Sequence, residues 1–176
     1  DKVKSVYDDL HESAMKMLSK KSILDESVMM EFILVAVLSG QIIPPRRSMD
    51  YSLMKIRNHD VKTDNYYKSG KFFYNKYKTS DTYGLQVIEL PAHFNKMLKQ
   101  WIKINPTDYM LYGSTRQPLS SPQINRILNK AFGGKVSTNL LRHIYLSNIY
   151  KDIPAISQMD ELAREMGHSR AQAMEY

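Results

Sequence analysis

Helical periodicity runs through most of the sequence and gives way to a β-type pattern between residues 66 and 90. Before the break, apolar residues recur every three or four positions over 3–18, and an apolar run at 28–38 predicts a core helix from about 25 to 40. Within the break, KFFYNKYK and LQVIEL flank the turn-like cluster TSDTYG, which predicts an antiparallel hairpin. The pattern therefore predicts a mainly α-helical domain with one small antiparallel β-sheet, an α+β fold.

Helical patterns also occur on both sides of the hairpin. These further predicted helices cover residues 47–54, 94–102, 121–132, 138–151 and 154–166. Gly167 is the type of residue that ends a helix, while Ser169 is suited to cap a new one. His168 is therefore expected in a tight junction between two helices, with Tyr176 at the far end of the second.

Composition limits the class of protein. A chain of 176 residues with 43% hydrophobic and 24% charged residues is large enough to bury the core of one globular domain. It has no cysteine, so disulfides and thiolate metal sites are excluded, and its apolar run is too short to span a membrane. The net charge of +7 and the 12 tyrosines suggest a phosphate-bearing partner, nucleic acid first, although charge alone fits a well-solvated basic protein equally well.

Two arginines lie at predicted helix starts, where a cation opposes the helix macrodipole unless an anion is bound. Arg142, in STNLLRH, is one of them, and a salt bridge to a carboxylate is the simpler explanation for it alone. In IPPRRSMDY, Asp50 follows Arg47 by three positions and can brace it across one turn, which would preorganise a phosphate clamp. The alternative for this second site is an ordinary ion pair on the surface.

Other polar residues are weaker evidence for a functional site. Lys76 and Lys78 point to one face of the predicted strand beside the turn, where a lysine either enters a reaction centre or remains in solvent. The five histidines show no metal-ligand spacing, and neither a carboxylate cluster nor a P-loop is present. We therefore expect no metal ion and no cofactor.

Taken in order, these residues resemble the catalytic set of the tyrosine recombinases, the family of phage integrases and related site-specific recombinases. The matching residues are Arg47, Lys78, Arg142, His168 and Tyr176. In that family an acidic residue usually follows the first arginine by three positions, the second arginine box commonly reads H-x-L-R-H, and L-G-H-S precedes the tyrosine. Here Asp50, NLLRH and MGHS match those features, and the resemblance spans residues 23–176.

The resemblance implies a role for each residue. Tyr176 would attack the scissile phosphate and form a 3′-phosphotyrosine, while Lys78, with Lys76 as the rival, would protonate the leaving 5′-oxygen. The arginines and His168 would stabilise the charge on the phosphate oxygens without metal or ATP.

The chain departs from the family pattern at two points. Asn139 stands where the family usually has His or Lys, so the catalytic role of that position is either weakened or reduced to a hydrogen bond to phosphate. The interval from His168 to Tyr176 is one residue shorter than usual. Among the remaining residues, we expect Arg46 and Lys76 to contact DNA and His143 to be buried in support of the arginine helix.

The resemblance also implies partners and setting. We expect residues 1–176 to be a single catalytic domain, a fragment that lacks an N-terminal DNA-binding domain, and to act on double-stranded DNA as a homo-oligomer, with four protomers in the synapse. An intracellular protein at DNA, in the cytoplasm or a host nucleus, is expected. IPPRRSMDY departs from the commoner cellular T-G-x-R form, which favours an integrase of a mobile or viral element. The alternatives are a type IB topoisomerase and an inactive DNA-binding module of the same fold.

Overall fold

The computed structural model describes residues 1–20, 25–150 and 156–167, with the side chains at 156–160 left out. In these ranges the chain forms the helices α1 (Lys2–Ser19), α2 (Glu26–Leu38), α3 (Met49–Ser52), α4 (Ser80–Tyr83), α5 (Ala92–Ile104), α6 (Ser121–Phe132), α7 (Thr138–Ile149) and α8 (Ile156–Glu165). The strands are β1 (Tyr66–Lys68), β2 (Lys71–Tyr74) and β3 (Gln86–Glu89). The predicted fold class, mainly helical with a small antiparallel sheet, is confirmed.

Helix α2 is the centre of the helical core. Every residue from Met29 to Leu38 is buried except Glu31, because α1, α6 and α7 surround the helix. Asp25 begins it, with its carboxylate accepting the Ser27 backbone N–H at 3.0 Å. The expectation of a core helix in this stretch is therefore confirmed.

Capping residues define where α6 and α7 begin. Ser120 and Gln123 form a reciprocal capping box at the start of α6, and Gly133 ends that helix in the left-handed region at φ 66°. The Ser137 side chain accepts the Leu140 N–H at 3.1 Å and caps α7. These caps matter for function because both helix starts lie at the pocket described below.

The sheet is antiparallel, with strand order β1-β2-β3. Ser69 and Gly70, both at positive φ, form the tight turn between β1 and β2. The second connection differs from the predicted tight turn: β2 ends at Tyr74, and residues 75–85, which include α4, lead to β3. Lys76 and Lys78 lie in this connection, so the two-residue alternation of a strand does not apply to them.

No helix in the described ranges combines the length and apolar character of a membrane span.

Helices α7 and α8 share a small apolar cluster of their own, which consists of Leu146, Ala163 and Met166. This contact attaches the end of α8 to the helix that carries Arg142.

The contact between α1 and α5 is predicted to depend on pH. His11 and His93 lie with their Nε2 atoms 2.6 Å apart, a bond that requires one neutral ring. Partial burial lowers the pKa of His11, the charge of His93 lowers it further, and Asp8 opposes the shift. Because this pKa is depressed in the folded state, the unfolded chain binds protons first, and stability falls as the pH drops below about 6.5.

Urea unfolding between pH 7.5 and 5.5 measures this effect. In His93→Gln, the unfolding midpoint should fall less with decreasing pH than in the unmodified protein, since a neutral amide replaces the second ring. Equal pH dependence in both proteins would show that the pair does not govern acid stability.

Candidate active site

The two adjacent arginines before α3 occupy opposite environments. Arg46 is fully buried, whereas Arg47 is partly exposed. The Arg46 guanidinium lies 3.9 Å from the centre of the Tyr74 ring and donates from Nε to Asp50 Oδ2 at 2.8 Å. Its Nη1 donates to Gln86 Oε1 at 2.9 Å and to the Glu165 carbonyl at 2.7 Å. Arg46 therefore ties α3, the sheet and the end of α8 together.

This arrangement corrects two sequence predictions. The ion pair of Asp50 is with Arg46, four residues before it, and not with Arg47, three residues before it. A completely buried Arg46 has no surface for DNA, so its assignment to DNA contact is wrong. Burial raises the pKa of Asp50, and the charges of Arg46, Arg47 and Arg142 oppose that rise. One buried carboxylate thus lies within the electrostatic influence of three arginines.

Arg47 meets the segment that leads to the last predicted motif. Its Nη1 donates to the Gly167 carbonyl at 2.8 Å, and the Thr79 hydroxyl donates to the same oxygen at 3.0 Å. The first residues of MGHS therefore lie against Arg47 and against the connection between β2 and β3. His168 and Tyr176, the predicted phosphate ligand and nucleophile, lie outside the described residues.

Arg142 and Asn139 form a unit on the first turn of α7. Arg142 is buried, with 3% of its surface exposed, and its Nη2 donates to Asn139 Oδ1 at 2.8 Å. Asn139 itself is exposed. The amide therefore holds one edge of the guanidinium, a contact with Arg142 that the sequence did not predict.

A polar pocket of about 240 Å³ lies at these residues. Its lining consists of Arg47, Ser48, Met49, Ser121, Asn125, Ser137, Thr138 and Asn139. The lining takes in the first turns of both α6 and α7, where backbone N–H groups and the helix dipoles favour negative charge. Together with the Arg47 guanidinium, these groups suit a phosphate.

A second cleft of about 320 Å³ adjoins the pocket and shares Met49 and Ser121 with it. Its other lining residues are Ser52, Leu53, Lys55, Asp64, Asn65, Lys76 and Tyr109. Both Lys76 and Lys78 are exposed, but only Lys76 lines either of these two cavities. The two lysines therefore differ in position: Lys76 lines the second cleft, and Lys78, which the resemblance favoured, lines neither cavity.

The predicted role of His143 is wrong. Helix α7 buries Thr138, Leu141, Arg142 and Leu146, and His143 lies on the exposed side of that arc. Its apolar neighbours in sequence suggested burial, but on a helix they lie on a different face. His143 is not a buried support of the arginine helix.

Among the described side chains, no group of three or more His, Asp or Glu residues is placed to hold a metal ion. Two residues near the site were not predicted from the sequence: Asn65, a buried amide in the wall of the second cleft, and Thr79. Neither residue stands in a recognisable motif.

Gly167 is predicted to tolerate no side chain. It lies in the left-handed region at φ 77°, and a Cβ atom there would come within 2.8 Å of Arg46 Nη2 and 3.3 Å of Asp50 Oδ2. Gly167→Ala should therefore cost about 1–2 kcal/mol of unfolding free energy from the backbone alone, and more from the clash. Urea denaturation measures it, with Gly134→Ala as control, since nothing lies within 4 Å of a Cβ there. Equal effects of the two changes would contradict the argument.

No protein-family model and no curated protein matches the chain. Solved structures do match. The XerA recombinase aligns over 94% of this chain with a TM-score of 0.58 and 16% identity. The XerH site-specific recombinase bound to its difH substrate, in a pre-cleavage complex, aligns over 93% with a TM-score of 0.53 and 20% identity. A lambda integrase dimer bound to a COC′ core site aligns over 94% with a TM-score of 0.53 and 18% identity.

The chain spans about half the length of these structures, namely 57%, 47% and 46% of them. At identities of 16–20%, the TM-scores above 0.5 over more than 90% of this chain show a shared fold. The chain therefore has the fold of the tyrosine recombinase catalytic domain.

Proposed function

We propose that residues 1–176 are the catalytic domain of a site-specific DNA recombinase or integrase, which cleaves and rejoins DNA strands through a 3′-phosphotyrosine intermediate. The observation that carries the proposal is the hydrogen bond from Arg47 Nη1 to the Gly167 carbonyl at 2.8 Å. It joins the first arginine to the MGHS segment, 120 positions later. In the same pocket wall, Asn139 holds Arg142.

The arginines would bind and polarise the scissile phosphate. During transfer, negative charge accumulates on the non-bridging oxygens, and fixed guanidinium donors stabilise that charge more than they stabilise the ground state. Arg142 is suited to this because Asn139 fixes its orientation, so little reorganisation is needed. His168 would donate to the same oxygens, as the resemblance implies.

Tyr176 would supply the nucleophile. Its phenolic oxygen forms a bond to phosphorus and loses its proton to solvent, while the bond from phosphorus to the 5′-oxygen breaks and that oxygen takes a proton from a lysine. The phosphotyrosine retains the bond energy, so a 5′-hydroxyl from a second strand reverses the step without ATP. The residues that do this chemistry need no metal ion.

Lys76 is proposed as the proton donor in place of Lys78. The support is its position in the wall of the cleft that adjoins the Arg47 pocket, whereas Lys78 lines neither cavity. General acid catalysis contributes about 10²–10⁴ to a rate, so Lys76→Ala should slow DNA cleavage by that factor. Lys78→Ala is the matched control, an exposed lysine in the same connection, and should retain most of the rate. The reverse result would return the role to Lys78.

The proposed partner is double-stranded DNA, which several protomers bind together in a synapse. The proposed location of the protein is at DNA inside a cell. The overall charge of +7 supports phosphate contacts, so binding should weaken steeply with added salt. A separate DNA-binding domain before residue 1, and an origin in a mobile or viral element, belong to the same proposal.

A covalent-trapping experiment tests the proposal. The protein is mixed with a pool of nicked duplexes of varied sequence in EDTA, and the products are separated on a denaturing gel. We expect a protein–DNA adduct that disappears in Tyr176→Phe, and sequencing of the trapped DNA identifies the cleaved site.

Each alternative predicts a different result. Salt-sensitive DNA binding without an adduct would indicate an inactive binding module and overturn the proposal. An adduct combined with relaxation of a supercoiled plasmid, without strand exchange between two duplexes, would indicate a type IB topoisomerase activity instead.

A further inference from the structure

The base of the Lys76 side chain is held in place by another residue. Lys76 lies two positions beyond the end of β2, outside the ladder of the sheet. Its backbone N–H instead donates to Asn65 Oδ1 at 2.7 Å, and its carbonyl accepts from Asn65 Nδ2 at 2.8 Å. One side chain therefore fixes both polar groups of the Lys76 backbone.

The same amide also reaches the arginine region. Asn65 Nδ2 donates to the Asp50 carbonyl at 3.0 Å, and Oδ1 accepts a second N–H from Asn75 at 2.8 Å. Two donors and two acceptor positions are the full capacity of an amide side chain, and all of them are used. Asp50 is the ion-pair partner of Arg46, which precedes Arg47 in the chain. Asn65 thus joins the lysine connection directly to α3, the helix that follows the two arginines.

Burial makes this link rigid. Asn65 is 5% exposed, so water does not compete well for its hydrogen bonds, and a lost bond would leave a buried polar group without compensation. Only an amide fits this position. A carboxylate cannot donate, a hydroxyl has one donor, and an apolar side chain has none.

We propose that Asn65 is a positioning residue for proton transfer from Lys76. It fixes the origin of the flexible lysine side chain relative to the Arg47 pocket, so that the ammonium group meets the leaving 5′-oxygen at the bound phosphate. The inference rests on the proposed function, and Asn65 itself contacts neither DNA nor the reacting atoms. Displacing a reacting group by about 1 Å can lower a rate about 10²-fold, which sets the scale of the effect.

The test compares two substrates that differ in the leaving atom. Both carry the site recovered by covalent trapping, one with the ordinary 5′-bridging oxygen and one with sulfur in its place. A thiol is far more acidic than an alcohol, so the sulfur departs as a thiolate and needs no proton donor. Single-turnover adduct formation is measured on each, for the unmodified protein and its variants.

Asn65→Ala should cleave the oxygen substrate about 10–100-fold more slowly and the sulfur substrate at nearly the unmodified rate. Asn75→Ala is the matched control. It removes two side-chain hydrogen bonds in the same connection, to the Val61 and Asp64 carbonyls, but leaves both bonds between Asn65 and Lys76. It should not change the ratio of the two rates.

A second comparison asks whether the two residues act together. If Asn65 works through Lys76, the double change Asn65→Ala with Lys76→Ala should be no slower on the oxygen substrate than Lys76→Ala alone. Should Asn65→Ala fail to fold, Asn65→Asp replaces it: the carboxylate keeps both acceptor bonds, but its second oxygen faces the Lys76 and Asp50 carbonyls and so breaks the donated bonds.

Two results would overturn the inference. Equal slowing on both substrates would show that Asn65 has only a structural role, and an unchanged rate on the oxygen substrate would show that it does not position the lysine. Both results presuppose an unmodified protein that forms the adduct. If the unmodified protein forms none, the proposed function fails first, and the two failures are thereby distinguished.

Discussion

Replacement of Arg47 by alanine is expected to lower the rate of covalent adduct formation by about 10²–10³, the usual effect of removing one preorganised donor from a developing oxyanion. The side chain is partly exposed and lines the polar pocket, where the proposed function puts the scissile phosphate. Single-turnover cleavage of the trapped DNA site measures the rate. Unfolding in urea should show a smaller loss of stability than for Arg46→Ala.

Two control variants show whether the slower adduct formation is specific to the Arg47 guanidinium. Arg47→Lys keeps the charge but not the planar pair of donors, and should recover only part of the rate. Arg116→Ala removes an exposed arginine that lines neither cavity and should leave the rate close to normal. If Arg116→Ala slowed cleavage as much as Arg47→Ala, the effect would be one of overall charge.

Replacement of Arg46, one position earlier, should have the opposite consequence. Arg46→Ala leaves the Asp50 carboxylate buried without its ion-pair partner, and breaking such a pair typically costs about 3–5 kcal/mol. It also removes the bonds to Gln86 and to the Glu165 carbonyl. The free energy of unfolding, from urea titration, should therefore fall by several kcal/mol, with activity lost only because the protein unfolds.

A paired substitution tests the reason for this loss. Arg46→Met combined with Asp50→Leu removes both charges and fills the space with apolar side chains, and should recover much of the stability lost in Arg46→Ala. A loss below about 1 kcal/mol in Arg46→Ala would contradict the assignment of a buried ion pair, because that is the range of exposed pairs.

The sequence predicted the fold class because periodicity is a local property. Apolar spacing gave the helices, and Asp25 and Gly133 marked helix ends through backbone geometry that depends only on near neighbours. The β-prone run over 71–78 overestimated β2, since the side chain of Asn65 takes the backbone groups of residues 75 and 76 that a strand would have used.

The site was less predictable, because its contacts join distant parts of the chain. Nothing local distinguishes Arg46 from Arg47, and spacing alone gave Asp50 the wrong partner. Their environments are decided by Gln86, Glu165 and Gly167, which lie 40 or more positions away. The choice between Lys76 and Lys78 depends on a cleft formed by five separate segments.

Adjacent arginines hold alternate carbonyls at the end of α8: Arg46 binds that of Glu165, and Arg47 binds that of Gly167. Gly167, the last described residue, is therefore held in a fixed position beside Arg47. Tyr176 follows Gly167 by nine residues, and a fully extended chain of that length reaches roughly 30 Å. Under the proposed function, that radius would limit which phosphates Tyr176 could attack: the one in its own pocket, or one in a neighbouring protomer whose pocket lies within the same reach.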